Sequence, residues 1–154
     1  MTEMGNETVL GRCLCGAVEF ELSGALADFY QCHCSQCRKV TGSASNAGLF
    51  VADKNFRWLG GEPELTHYVK DSGYNASFCR CCGSVMPNVF RGGGGYWVPA
   101  GALESDGGAE VAAHLHVDSR ARWDVIGGTA RQYADIPELS ALLEVLNQRR
   151  IKDS

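Results

Sequence analysis

The chain has 154 residues, 45% of them hydrophobic, which is enough for one domain with a core but too few to predict two. Its formal net charge of -4 gives no basic surface for nucleic acid or anionic lipid, and no apolar run is long enough to cross a membrane. The first dozen residues are polar and acidic and do not resemble a secretory signal, so we expect a cytoplasmic protein whose thiols stay reduced.

Short strand-like runs recur along most of the chain. Val18, Phe20 and Leu22 alternate with two glutamates, which is the pattern of a half-buried strand. Four consecutive glycines at 92–95 predict the tip of a hairpin. Similar strand-like runs, separated by Gly, Asp and Asn, lie at residues 49–51, 56–59, 66–69, 76–78, 85–90, 96–98, 111–117 and 123–126. This succession predicts a mainly β fold of antiparallel sheets.

A clear helical period occurs near the C-terminus. Asp135 is a candidate N-cap, with Glu138 three residues later. Four leucines then share one face of the predicted helix, namely Leu139, Leu142, Leu143 and Leu146. We expect this short helix, over residues 135–150, to pack its leucines against the sheets. Binding of a partner is the alternative use of such a face.

The eight cysteines form three clusters whose spacing suits metal ligands better than disulfides. The clusters lie at positions 13 and 15, at positions 32, 34 and 37, and at positions 79, 81 and 82. Two cysteines separated by one residue are poorly placed to bridge each other, and the cytosol keeps thiols reduced. The clusters therefore predict thiolate metal sites.

Two of the clusters together predict one closed zinc site. Residues two apart on an extended segment point to the same side, so Cys13 and Cys15 can face one ion. Cys79 and Cys82, followed by Gly83, have the spacing of a zinc-knuckle turn. Joined through one Zn²⁺, these four cysteines would tie the start of the chain to its middle as a structural metal site.

The third cluster predicts an open metal site. Cys32, Cys34 and Cys37 supply three thiolates within six residues, and three protein ligands leave one coordination position for chemistry. We expect an exchangeable fourth ligand, with the ring of His33 turned away from the metal and Cys81 remaining a free thiol. The sequence alone leaves the candidates for the fourth position open: water, substrate, Cys81, His33, His67, His114 and His116.

Four segments occur in order between residues 11 and 126, namely RCLCGAVEFEL, CHCSQCRKVTGSA, FCRCCGS and HLHVDSRARWDVI. Together they resemble the glutathione-dependent formaldehyde-activating enzyme family, which includes the centromere protein V type domain. The resemblance implies a zinc-stapled β-tent of folded antiparallel sheets. It also implies two Zn²⁺ per chain, a structural one at Cys13, Cys15, Cys79 and Cys82, and a catalytic, more weakly held one at Cys32, Cys34 and Cys37.

This resemblance gives the expected domain organisation. We expect a flexible N-terminus over residues 1–10 and the zinc domain over residues 11–134. The C-terminal helix over residues 135–150 should pack on that same domain.

The family resemblance also implies carbon–sulfur chemistry, in which the thiol of glutathione adds to formaldehyde or the adduct comes apart. We therefore expect a zinc-dependent carbon–sulfur lyase or synthase that uses a small thiol such as glutathione and a small aldehyde. Its catalytic residues would be Cys32, Cys34 and Cys37. Arg38 and Lys39 follow directly and are candidates to bind a carboxylate of the thiol. The alternative is a non-catalytic, zinc-stabilised binding module in which both metal sites are structural.

Three residues of the late segment are weaker candidates for the site. His114 alternates with His116, so one of the two rings should face the interior as a satisfied core histidine. We expect Arg120 to be an ion-pair partner and Trp123 to be a core residue.

Overall fold

The structure, a computed structural model, describes residues 7–153, and side chains as far as residue 150. Within this range twelve strands form three sheets, and there are two α-helices. These observations confirm the predicted mainly β fold with a C-terminal helix.

In chain order the elements are β1 (Thr8–Arg12), β2 (Glu19–Ser23), β3 (Phe29–Cys32), α1 (Ser35–Thr41), β4 (Asn46–Ala52), β5 (Phe56–Gly60), β6 (Leu65–Val69), β7 (Asn75–Cys79), β8 (Val85–Met86), β9 (Asn88–Val89), β10 (Gly95–Pro99), β11 (Val111–Leu115), β12 (Arg131–Gln132) and α2 (Leu139–Asp153).

The chain divides into two compact units. The first comprises the residues up to 26 together with residues 49–108, and the second comprises residues 27–48 together with those from 109 onward. Residues 1–6 of the expected flexible N-terminus lie outside the described residues, whereas β1 begins within that expected segment at Thr8. The domain boundaries at residues 11 and 134 stay predictions.

Part of the core of the first unit lies on one face of the antiparallel sheet β1-β2-β5. Residues of β2 alternate as the sequence predicts, because Phe20 and Leu22 are fully buried while the glutamates beside them are not. The ring of Phe20 stacks on Phe56 with centroids 5.7 Å apart, and Phe56 stacks on Tyr96 at 3.9 Å. The strand alternation therefore gives this sheet one aromatic face for the core.

The first unit also contains the antiparallel sheet β6-β7-β8 and the hairpin of β9 and β10. The Phe90 N–H donates to the Gly95 carbonyl at 2.8 Å, and the glycines between them form the tip, which confirms the predicted hairpin. Strand β7 ends at Cys79. It therefore brings this cysteine to the turn that precedes β8.

The second unit contains parallel strand pairs. Strand β11 pairs in parallel with β3 and with β12, and β3 pairs antiparallel with residues 46–48 of β4. The parallel pairs differ from the antiparallel pairing that the sequence predicts. Parallel neighbours need a long crossover between them, and the many residues between β3 and β11 supply one.

Helix α2 begins four residues later than the predicted N-cap. The carbonyl of Asp135 accepts a hydrogen bond from the His116 N–H at 2.9 Å, and Pro137 disfavours a helical conformation of the residue before it. Leu142 and Leu146 are buried as predicted, whereas Leu139 at the start of the helix is 47% exposed. Arg149 anchors the far end through its Nε, which lies 2.9 Å from an oxygen of Asp28. The helix therefore packs two of its leucines within the second unit.

Residues 123–126 do not form the predicted strand. The Asp124 N–H donates to the Ala121 carbonyl at 3.0 Å, which closes a turn. Trp123 and Val125 are 72% and 89% exposed, so the prediction that Trp123 lies in the core is wrong. Alternation over four residues is too short to indicate a strand when no neighbouring strand pairs with them.

Two adjacent glycines, the last residue of β5 and the one after it, allow a matched test of this fold. Gly61 has a φ of +87°, and a Cβ there would lie 1.9 Å from the Ala17 carbonyl oxygen, whereas a Cβ at Gly60 would meet nothing within 4 Å. We expect Gly61→Ala to lower the free energy of unfolding by about 2 to 4 kcal/mol through backbone strain and overlap. Gly60→Ala should change it by less than about 1 kcal/mol.

The measurement is urea denaturation of the two variants and the wild type at equal metal content. Equal stabilities of the two variants would contradict the turn geometry at Gly61.

Candidate metal centres and a histidine-lined cavity

The first unit brings Cys13, Cys15, Cys79 and Cys82 together, with all four sulfur atoms within 4.8 Å of one another. The Cys13 and Cys15 sulfurs are 3.7 Å apart, and those of Cys15 and Cys79 are 3.9 Å apart. A tetrahedral zinc site with Zn–S bonds of about 2.3 Å has sulfur–sulfur edges of about 3.8 Å. The donor set and its spacing therefore fit Zn²⁺.

Two tight turns present these sulfurs, and each contains a glycine in the left-handed region. Gly16, with φ of +82°, donates its N–H to the Cys13 carbonyl at 3.1 Å. Gly83, with φ of +80°, donates to the Cys79 carbonyl at 2.7 Å. Because other residues are strained at such angles, glycine allows the chain to curl around the sulfurs.

Ser84 connects the two turns, and the sequence analysis missed it. Its hydroxyl oxygen accepts the Leu14 N–H at 3.0 Å and lies 3.2 Å from the Cys82 sulfur. Hydrogen bonds from the Ser84 hydroxyl and N–H, and then from the Cys15 N–H, lower the pKa of Cys82 to about 5. At neutral pH this thiol is therefore held as a thiolate, the form that binds metals.

The four thiols do not lose protons equally. The Ala17 N–H lowers the pKa of Cys15, but burial and the neighbouring thiols outweigh it and raise the pKa to about 12. Burial raises the pKa of Cys13, but the Val18 N–H and the thiols of Cys15 and Cys79 outweigh it and lower the pKa. Four thiolates so close together repel one another, so a cation at their centre would displace the protons that remain.

Cys81 lies outside this group although it sits between two of its members. Its exposed thiol donates to an oxygen of Glu64 at 3.3 Å, and the same carboxylate pairs with Arg80. The carboxylate raises the pKa of Cys81, so the thiol stays protonated. The neighbouring Arg80, and to a lesser degree the Cys81 thiol, lower the pKa of Glu64.

The second unit brings Cys32, Cys34 and Cys37 together, again with their sulfurs within 4.8 Å of one another. Cys32 ends β3, and Cys34 is the N-cap of α1, where its sulfur accepts the Cys37 N–H at 3.4 Å. The hydrogen bond with Cys37, followed by burial, raises the pKa of Cys32. Among the side chains of residues 7–150, no fourth ligand-type residue joins these three. Three thiols with no fourth protein donor fit a zinc ion that keeps a position for an exchangeable ligand.

Arg38 and Lys39 follow the three cysteines on α1. Lys39 is exposed and Arg38 is half-buried. The Nε of Arg38 is sealed from solvent and has no hydrogen-bond partner. Arg38 therefore offers an unused donor close in sequence to the three thiols.

His33 and His114 face each other in the second unit. The His33 Nε2 lies 3.0 Å from the His114 Nδ1, and the His33 Nδ1 lies 3.4 Å from Asp124 Oδ2. Burial lowers the pKa of His33 more than Asp124 raises it, and burial also lowers the pKa of His114. Both imidazoles are therefore neutral near pH 7. The sequence analysis gave no role to Asp124, whose approach to His33 depends on the turn at residues 121–124.

A cavity of about 420 Å³ adjoins this histidine pair within the second unit. Its walls come from the end of β3, the residues before β4, strand β11 and the loop that contains Asp124. The lining residues are Gln31, His33, Ala44, Ser45, Val111, His114 and residues 124–130. None of the cysteines in the described chain lines it.

Two of the weaker candidates of the late segment, and one candidate for the fourth metal ligand, have partners of their own. His114 is 5% exposed and hydrogen-bonded, as expected for an interior histidine. Arg120 donates from its Nη1 to the Val117 carbonyl at 3.2 Å instead of to an acidic side chain. His67, a candidate for the fourth metal ligand, is hydrogen-bonded to Ser77 at 2.6 Å.

Comparison with known proteins decides the family. The family model of the glutathione-dependent formaldehyde-activating enzyme matches residues 8–119. The chain belongs to this family. A crystal structure of a Rhodobacter sphaeroides protein, a structural genomics target, is 30% identical, and the match covers 62% of this chain and 88% of that one, with a TM-score of 0.52. No curated protein sequence matches the chain significantly.

The family assignment confirms the resemblance seen in the four segments and agrees with two cysteine groups that could each hold a metal ion. Enzymes of this family act on glutathione and formaldehyde. Among the described residues, no helix is long and apolar enough to span a membrane.

The two thiol groups predict a metal content that a single substitution should change. We expect two zinc ions per chain in the wild type and one in Cys34→Ser, because serine is a poor zinc ligand and two thiols alone hold the ion weakly. Cys81→Ser is the matched control and should keep both ions, since its thiol lies outside either group. Elemental analysis of purified protein measures the ratio, and two ions in Cys34→Ser would contradict the assignment.

Proposed function

We propose that the chain is a zinc-dependent carbon–sulfur lyase or synthase that acts on the glutathione adduct of formaldehyde or of another small aldehyde. The observation that supports this most is the group of Cys32, Cys34 and Cys37, which has three thiols and no fourth protein donor among the described side chains. Its occurrence in a chain of the glutathione-dependent formaldehyde-activating family links the open position to the chemistry of that family.

The reaction is an addition without any redox change. The sulfur of the thiol forms a bond to the carbonyl carbon, the π bond of the carbonyl breaks, and the proton of the thiol ends on the oxygen. In the reverse direction the carbon–sulfur bond breaks, and the hydroxyl proton returns to sulfur. A Zn²⁺ held by three thiolates would supply Lewis acidity and would favour the thiolate form of the substrate thiol.

The second unit holds the three sulfurs of Cys32, Cys34 and Cys37 in place before a substrate binds. Cys32 is fixed by β3 and Cys37 by α1, while the hydrogen bond from the Cys37 N–H holds the sulfur of Cys34. Such a fixed donor set lowers the cost of arranging ligands during the reaction. We assign the structural role to the other zinc, at Cys13, Cys15, Cys79 and Cys82.

Charge favours a role for Arg38 and Lys39 in binding the thiol substrate. Three thiolates and one Zn²⁺ carry a net charge of about -1, which repels the carboxylates of glutathione. Two cations directly after Cys37 oppose that repulsion, and the guanidinium of the half-buried Arg38 can donate to a carboxylate oxygen from its accessible part. We propose a cytoplasmic location, where both groups of thiols would stay reduced.

We expect zinc-loaded protein to speed the formation of S-hydroxymethylglutathione from glutathione and formaldehyde. Cys34→Ser should lower the rate by roughly 100-fold, the effect of losing electrostatic stabilisation at the reacting oxygen. Exchange NMR measures this rate, and Cys81→Ser should react like the wild type. A wild type that binds two zinc ions but does not accelerate the reaction would favour a non-catalytic module with two structural metals.

We also expect Arg38→Met to raise the KM for glutathione about tenfold with little change in kcat, because it removes a charged hydrogen bond made in substrate and transition state alike. Lys39→Met should have a smaller effect, since the Lys39 side chain is exposed and its interactions are screened. Steady-state kinetics at several glutathione concentrations separate the two parameters. An unchanged KM in Arg38→Met would remove this residue from the substrate site.

A further inference from the structure

Strand β6 lies at the edge of the sheet β6-β7-β8 in the first unit. It pairs with β7 along one side, and within the described residues 7–153 no other strand pairs with its second side. The side chains of residues 66–70 are all exposed, and Tyr68 and Val69 are 56% and 65% exposed. An uncovered strand edge of this kind can pair with a further strand.

The pairing with β7 determines which backbone groups of β6 point outward. The Arg80 N–H donates to the Glu64 carbonyl, and the Lys70 N–H donates to the Tyr74 carbonyl, each at 2.8 Å. Hydrogen-bonded residues alternate along an antiparallel strand, and the register between β6 and β7 is unbroken. Residues 64, 66, 68 and 70 therefore turn their backbone groups towards β7, whereas residues 65, 67 and 69 turn theirs towards the free edge.

One of these outward groups already has a partner. The Leu65 N–H donates to the Glu62 carbonyl in the short turn before β6. The free edge therefore presents the Leu65 carbonyl together with the N–H and carbonyl groups of His67 and Val69. The ring of His67 is hydrogen-bonded to Ser77 on its own sheet, so it does not occupy this edge.

This edge is complementary to a second copy of itself. When two β6 strands lie antiparallel with His67 opposite His67, Leu65 lies opposite Val69 and Glu64 lies opposite Lys70. Each apolar side chain then meets an apolar one, and each carboxylate meets an ammonium group, once on either side of the two-fold axis. The backbones form roughly four hydrogen bonds, two between the His67 residues and one from each Val69 N–H to a Leu65 carbonyl.

The neighbouring symmetric registers lose this match. With the axis moved one residue towards the N-terminus, Val69 lies opposite Pro63, which has no N–H to donate. With the axis moved one residue the other way, Leu65 lies opposite Asp71, an exposed carboxylate. The side chains therefore favour the register centred on His67.

We propose that β6 is the interface of a homodimer, in which two copies pair edge to edge around a two-fold axis at His67 and join their three-stranded sheets into one continuous sheet. The carboxylate of Glu64 then lies between Arg80 of its own sheet and Lys70 of the second copy. Because one strand pair covers a small area, we expect a weak dimer with a dissociation constant of roughly 10 to 500 µM. This inference is independent of the proposed function.

Sedimentation equilibrium of the zinc-loaded protein measures the association. A reducing agent is required, so that the exposed thiol of Cys81 does not link two copies by a disulfide. We expect a reversible shift from monomer to dimer between about 5 µM and 1 mM. A chain that stays monomeric over this range would overturn the proposal, even if the edge bound a strand of another protein.

Amide hydrogen exchange followed by NMR shows whether β6 is the interface. At high protein concentration the His67 and Val69 amides should exchange about fivefold more slowly than at low concentration, because they then donate to the second copy. The Thr66 and Tyr68 amides point towards β7 and should not change. A dimer in which the exchange of His67 and Val69 is independent of concentration would contradict the pairing.

Two substitutions act on the edge while leaving the hydrogen bonds to β7 in place. Val69→Pro removes an outward N–H and should weaken dimerisation at least about tenfold. Lys70→Glu places a carboxylate opposite Glu64 on both sides of the axis and should weaken it about tenfold at low salt. The second variant is the test if Val69→Pro does not fold.

Lys54→Glu is the matched control, since it makes the same charge change at an exposed lysine outside β6. We expect this variant to dimerise like the wild type. Unchanged dimerisation in both β6 variants, or an equal loss in Lys54→Glu and Lys70→Glu, would refute the interface.

Discussion

The first unit depends on one constraint, which is that four cysteine sulfurs come together at one position. Cys13 and Cys15 reach it from the end of β1, and Cys79 and Cys82 reach it from the turn between β7 and β8. The sulfur spacings are those of a tetrahedron around zinc, and without a cation the thiols must keep protons or repel one another. Gly16 and Gly83 allow the two turns that carry these sulfurs, and the Ser84 hydroxyl contacts both turns.

In the second unit a single extended segment supplies two different environments. Side chains of a strand alternate between its faces, so Cys32 contributes to the thiol group while Gln31 and His33 line the cavity. This alternation explains why His33, although it lies between two of the thiols in sequence, bonds to His114 instead of joining them. Adjacent residues of this segment therefore face the three thiols on one side and the cavity on the other.

The two sites also differ in the polar groups they contain. The thiol group has sulfurs held by β3 and α1, with cations directly after it in sequence. The cavity has a carboxylate and neutral imidazoles, with no cationic side chain on its walls. In the cavity wall the two rings are hydrogen-bonded to each other, whereas the His33 Nδ1 and the Asp124 Oδ2 lie 3.4 Å apart without a hydrogen bond.

The sequence by itself determined the features that depend on neighbouring residues. The spacing of the cysteines grouped them correctly into sets of four and three, and the four segments identified the family, because ligand spacing is set by local turns. The alternation of apolar and acidic residues predicted β2, and four consecutive glycines predicted the hairpin tip. Only the tertiary structure decided the parallel pairing of β11, the turn at Trp123, the start of α2, and the contacts of Ser84 and Asp124. Each of these depends on a partner distant in sequence or on hydrogen-bond competition for the backbone, and neither leaves a periodic pattern in the chain.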